Sequence, residues 1–134
     1  MPLAFADVRE HWGVIKEGLI EVSKGSKPDW RVEDVYTSLV NGNSHLLMDQ
    51  ARTQTGFMVI ESVPIPFQNA QKLLIWIAYD PEPESAVAYA SEIEKLARDT
   101  GHKQIEFLTP HERVKDLGIT FGYKLKWSVL NKAL

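Results

Sequence analysis

The apolar positions of this chain recur with two different periods. Val8, Trp12, Ile15, Leu19 and Val22 fall three or four apart, which predicts one buried face of a helix over residues 7–24. Asp7 suits the N-cap, with Glu10 three positions on, and Gly25 suits a left-handed stop. A second helix follows "KPD": Val32, Val35, Tyr36, Leu39 and Val40 form its stripe, and Gly42 ends it. Then the period changes. "SHLLMD" and "GFMVIESV" are short apolar runs bounded by polar or glycine-containing turns, so they read as strands. "PIPFQNAQ" reads as a loop, because its two prolines cannot continue a sheet interior.

"KLLIWIAY" is the strongest strand signal. Its apolar residues are continuous rather than alternating, which predicts cover on both faces. The next helix begins near Glu84 or Ser85. It turns Ala86, Val87, Ala90, Ile93, Leu96 and Ala97 to the sheet and stops at Gly101. "KQIEFLT" is the following strand, and a helical connection predicts parallel pairing with "KLLIWIAY". A short helix is expected around "PHERVKDLG". "YKLKWSVL" alternates cleanly and reads as a half-exposed strand, antiparallel or at an edge. The fold class is therefore α/β (α+β): one mixed, mostly antiparallel sheet flanked by helices, in a single domain over 1–134.

Composition removes several classes of function. The chain is 44% apolar and 25% charged, ordinary for a globular domain, and its formal charge of −3 predicts no broad attraction to nucleic acid or anionic lipid. There is no cysteine, which excludes disulfides and thiolate catalysis and fits a reducing compartment. The longest strongly apolar run, Leu73 to Tyr79, is far too short to span a bilayer. The first residues lack a basic stretch followed by an apolar one, so they are not a secretory signal, and a cytoplasmic location is expected. His11, His45, His102 and His111 have no metal-ligand spacing, and no Walker loop, nucleophile elbow or dinucleotide fingerprint is present. The four tryptophans fall at positions expected in a core. Trp30, at a helix start, is the one expected to be partly exposed, as an interface anchor would be.

Three stretches together resemble the GNAT (N-acetyltransferase) superfamily. "KPDWRVEDVYTSLVNGNSHLLMD" is similar to its second helix and early strand. "LLIWIAYDPEPESAVAYASEIEKLARDTGHKQIEFL" is similar to its central strand, cofactor helix and next strand. "HERVKDLGITFGYKLKW" is similar to its short helix and Gly-Phe pair, here Gly122 and Tyr123. More narrowly, the chain resembles small GNAT-like proteins encoded by tailed phages and prophages. The resemblance implies a parallel strand pair splayed at the centre of the sheet. It also implies an acetyl-CoA cleft on Ile77, Ala78, Tyr79, Phe107 and Thr109, with the pyrophosphate at the helix start near Ser85. Tyr79 has a second reading, as a ring that closes the core.

At the turn where the family places phosphate-binding glycines, this chain has "DPEPES". Pro81 and Pro83 lack N–H donors, and Asp80, Glu82 and Glu84 would repel a pyrophosphate. Where the family's acid tyrosine would stand, five residues before Tyr123, there is Gly118. His111 is the candidate acid in its place; its other reading is a surface residue at a helix start. Glu61 is the candidate general base, or else a solvent-facing strand-end carboxylate. The expectation is a GNAT-like protein of phage or prophage origin with a degenerate acetyl-CoA site. It would hold that cofactor weakly, use no metal and be non-catalytic or weakly active. Its partner would be another protein or a further copy of itself, and its location cytoplasmic or on a virion. The alternative is an acyl-CoA-dependent N-acetyltransferase acting on an amine. A small-molecule sensor using the same cleft is a third possibility.

Overall fold

Asp7 accepts a hydrogen bond from the backbone N–H of Arg9 at 2.9 Å, and α1 (Val8–Ser23) starts there. The computed structural model describes residues 3–24, 28–49, 56–81 and 86–108, together with 119, 122–124, 130 and 132–134. In front of α1 lies a strand that the pattern does not predict, β1 (Leu3–Ala6). Next come α2 (Val32–Val40), β2 (His45–Asp49), β3 (Phe57–Pro64), β4 (Gln71–Tyr79), α3 (Ala86–Asp99) and β5 (Gln104–Phe107). The strands form one sheet in the order β1-β2-β3-β4-β5. The first four pair antiparallel, and β4 pairs with β5 in parallel after the α3 crossover. The mixed sheet and parallel pair expected from the sequence are both present.

The helices divide between the two faces. Ile15 and Leu19 of α1 and Val35 of α2 are fully buried against Leu46, Met48, Phe57, Val59 and Ile77. Burying each such side chain contributes about 1.5–3 kcal/mol before chain entropy is counted. On the other face Tyr89, Ile93 and Ala97 of α3 pack on Leu47, Met58, Ile60, Leu73 and Ile75. The unbroken apolar run of β4 is thus covered on both sides, as its composition implies. Gly42 and Gly101, both at φ 77°, end α2 and α3 in the left-handed region.

Three boundaries differ from the pattern. Pro64 belongs to β3 rather than to the loop, because it is the last residue of the strand, opposite Gln71, where no further donor is needed. Gln71, at the other end of the same predicted loop, opens β4. Tyr123 and Lys124 lie outside any strand, although the alternation of "YKLKWSVL" begins with them. Most of that segment, the short helix around His111 and the stop at Gly25 lie outside the described residues. No helix among the described residues is long and apolar enough to cross a membrane.

Candidate functional site

Among the described residues, the β4–β5 ladder stops short of the C-terminal end of β4. Ladder pairs with β5 run from Lys72–Gln104 to Ile75–Phe107, whereas β4 itself continues to Tyr79. The ladder also loosens along its length. The Lys103 N–H reaches the Gln71 carbonyl at 2.9 Å, but the Leu108 N–H reaches the Ile75 carbonyl only at 3.4 Å. Among the described residues, nothing pairs with Trp76–Tyr79 on the β5 side.

The other edge of β4 carries an irregularity at the same level. In its ladder with β3, Val59 faces Ile77 but Ile60 faces Ile75, so Trp76 is an extra residue, a β-bulge. Trp76 and Ile77 then both pack on the α1–α2 side, while Ile75 and Ala78 pack on the α3 side. A bulge bends its strand and increases the local twist. Here it comes one residue beyond the last β5 pair among the described residues.

Five of the site residues singled out from the sequence have a described place. Ile77, Ala78 and Tyr79 form the end of β4 beyond its last described pair with β5, and Phe107 ends β5 on the α3 side with Ala78. Tyr79 turns its ring to the α1–α2 side and meets Phe57 at 5.5 Å between centroids. Its ring therefore closes the core on that side. Glu61 is half-buried on β3 opposite Leu74, two residues before the bulged Trp76. It is separated from β5 by β4. Ser85, Thr109 and His111 lie outside the described residues, and so does the rest of the acidic turn after Pro81. Trp30 is half-buried against the α1–α2 cluster.

Two features of the site were not legible. Gly18 lets α1 approach the Phe57–Tyr79 pair: a Cβ there would overlap the Phe57 ring and lie 2.9 Å from Tyr79 Cδ2. A glycine in a helix gives no such signal by itself. The second is the hydroxyl of Tyr89, which donates to Asp49 Oδ2 at 2.6 Å in the interior. Tyr89 follows Ala86 at helical spacing, and that spacing was the only clue. Near α3, burial and then the Glu94 carboxylate push the Tyr123 hydroxyl above the usual tyrosine range.

Two open hollows lie elsewhere. One of about 380 Å³ adjoins Phe5, Asp7, Leu39 and His45, and one of about 450 Å³ adjoins Pro64, Gln68 and Thr100. Among the described residues no cluster of three or more His, Asp or Glu side chains could hold a metal ion. The backbone groups of Ile77–Tyr79 are amide donors and acceptors at an open strand edge. That chemistry suits a ligand with amides of its own, such as the pantetheine arm of CoA.

No protein-family model matches the sequence, and no curated protein matches it. Solved structures do match in shape. A ribosomal-protein-alanine N-acetyltransferase from Brucella melitensis superposes with a TM-score of 0.76 at 15% identity, over 100% of both chains. A Pyrococcus furiosus protein assigned as an acetyl transferase gives 0.70 at 19% identity, over 98% of this chain and 99% of the other. A transcriptional regulator from Bacillus halodurans gives 0.65 at 12% identity, over 98% and 99%. The chain has the GNAT fold. Likeness at this identity carries the fold alone, and the narrower phage resemblance gains no support from it.

Proposed function

We propose that this chain is an acyl-CoA-dependent N-acyltransferase that grips its cofactor mainly by a strand edge. The observation that carries this reading is the bulge at Trp76, with the β4–β5 ladder ending at Ile75 beside it. Together they leave the backbone of Ile77–Tyr79 without a β5 partner among the described residues. In this reading the Ile77–Tyr79 backbone bonds the amides of the pantetheine arm. Ala78 and Phe107 line the cleft on the α3 side, and Thr109, two residues on in the sequence, is assigned to the same cleft. Ser85, the residue before Ala86 in the sequence, is assigned to the pyrophosphate. The cofactor, when bound, supplies an acyl carbon activated as a thioester. Glu61 takes the proton of the incoming amine directly or through water, and His111 returns a proton to the departing sulfur. The whole chain acts as one domain, in a reducing, cytoplasmic setting that its lack of cysteine suits.

A second reading has its own support in the sequence. Two prolines and three carboxylates replace the phosphate-binding glycines over residues 80–85, and Gly118 replaces the acid tyrosine. These changes favour a fold kept for binding a partner protein or another copy of itself, without transfer. An assay of purified protein with acetyl-CoA and a panel of amines and amino-terminal peptides separates the two. Free CoA thiol appearing together with an acetylated amine supports the transferase. If CoA is released no faster than by hydrolysis with every acceptor, the second reading stands.

A further inference from the structure

Asp49 is 1% exposed and Tyr89 is 4% exposed, and the tyrosine hydroxyl donates to the buried carboxylate at 2.6 Å. The two residues join different layers. Asp49 ends β2, on the sheet, and Tyr89 is the fourth residue of α3. The bond lies at the same end of the sheet as Tyr79, the last residue of β4. Asp49 donates its N–H to the Gly56 carbonyl at 2.9 Å. Gly56 in turn fits between the two tyrosines, since a Cβ on it would come 2.7 Å from the Tyr89 hydroxyl and 3.1 Å from the Tyr79 carbonyl oxygen. The ends of β2 and β4, the approach to β3 and the second turn of α3 therefore meet at one polar point in an otherwise apolar layer.

A hydrogen bond between a hydroxyl and a buried carboxylate is short, directional and stronger than a neutral one. Apolar packing alone lets a helix slide or rotate by a fraction of an ångström. A bond of this kind fixes both its height and its rotation. What it fixes here is where the start of α3 stands relative to the end of β4.

We infer that Tyr89 and Asp49 are positioning residues that set the spacing between the strand edge and the helix start, and so the reach over which one CoA molecule is held. This inference rests on the transferase reading, in which the pantetheine arm lies along β4 and the phosphates lie at the start of α3. A ligand touching only β4 is indifferent to that spacing, whereas a ligand touching both elements depends on it. The absence of a side chain at Gly56 belongs to the same device, because any larger residue would push the Tyr89 hydroxyl away.

The test compares two probes, CoA and phosphate-free pantetheine, on four proteins: wild type, Tyr89→Phe, Asp49→Ala and Asp49→Asn. For Tyr89→Phe and Asp49→Ala, CoA binding is expected to weaken about tenfold, the scale of losing one charge-assisted hydrogen bond, with pantetheine binding unchanged. Asp49→Asn keeps an acceptor for the hydroxyl and is expected to recover most of the CoA affinity. Hydrogen exchange gives a readout that needs no ligand: the amides of Ala90 to Ile93 are expected to lose protection in Tyr89→Phe, with Lys95 to Ala97 unchanged. Equal weakening of both probes, or none, overturns the inference, as does unchanged exchange at Ala90 to Ile93. If wild type binds neither probe while the exchange pattern still changes as expected, the transferase reading fails and the tie is a packing device only.

Discussion

Trp76 and Ile77 are neighbours in sequence, yet both side chains pack on the α1–α2 side of the sheet. In a regular strand consecutive residues point to opposite faces. The shared face is the imprint of the bulge, and it coincides with the end of the β4–β5 ladder at Ile75.

Deleting Trp76 tests that coincidence. Ile75 and Ile77 then become consecutive on opposite faces, and regular alternation returns without moving any other core residue to the wrong side. The shortened protein is expected to fold, with some stability lost from the missing indole. Acetyl-CoA affinity is expected to drop by roughly tenfold or more, because the strand no longer bends away from β5. Thermal melting and calorimetry on the same sample check both parts.

Two glycines of α1 are expected to respond in opposite directions to alanine. Gly13 is exposed, and no atom lies within 4 Å of the place a methyl would take, so Gly13→Ala is expected to stabilise the protein by about 0.5–1 kcal/mol. Gly18→Ala places a methyl against the fully buried Phe57 ring and is expected to cost about 1–3 kcal/mol. Urea denaturation of the two variants beside the parent decides the sign of each.

Lys72 and Glu106 bridge β4 and β5 at 2.6 Å, with side chains only 16% and 19% exposed. Removing one partner leaves the other charge half-desolvated. Lys72→Met is expected to cost about 1–2 kcal/mol, below the ~3–5 seen for fully buried pairs. The double variant Lys72→Met with Glu106→Leu is expected to be more stable than the sum of the two single losses predicts. A double-mutant cycle in urea measures the coupling.

Tyr123 makes stability sensitive to alkali. Its hydroxyl is held above the usual tyrosine range, first by burial and then by Glu94. The folded state therefore keeps this proton where the unfolded chain has released it. The associated stability is complete below the unfolded value, about pH 10, and is lost as pH rises through the folded one. In an ultraviolet titration at least one of the four tyrosines is expected to ionise late, and Tyr123→Phe is expected to remove that step. Glu94→Gln is expected to lower it only partly, because burial is the larger cause.

The helices and the long strand were legible because local signals and tertiary structure agree there. Asp7 is a good N-cap in any context, and the stripe from Val8 to Val22 can only be satisfied by burial. β1 was not legible: Leu3–Ala6 is four residues without alternation, and its extended form comes from pairing with β2. The bulge was hidden for a related reason. A strand apolar at every position has no alternation for an extra residue to interrupt. Tyr89 was passed over because its ring merely continues a helical stripe, while its importance lies in a hydroxyl whose partner is 40 residues away. The acidic turn was legible as chemistry, but its effect depends on residues 82–85, which lie outside the described residues.

The central claim is that the open edge of β4 takes an acyl-CoA. Calorimetric titration of the purified protein with acetyl-CoA at low salt tests it most directly. The expected result is saturable one-site binding with a dissociation constant on the order of micromolar, weakened roughly tenfold or more by deleting Trp76. A folded protein that gives no binding heat up to millimolar acetyl-CoA would contradict the claim and leave the fold as a scaffold for a protein partner.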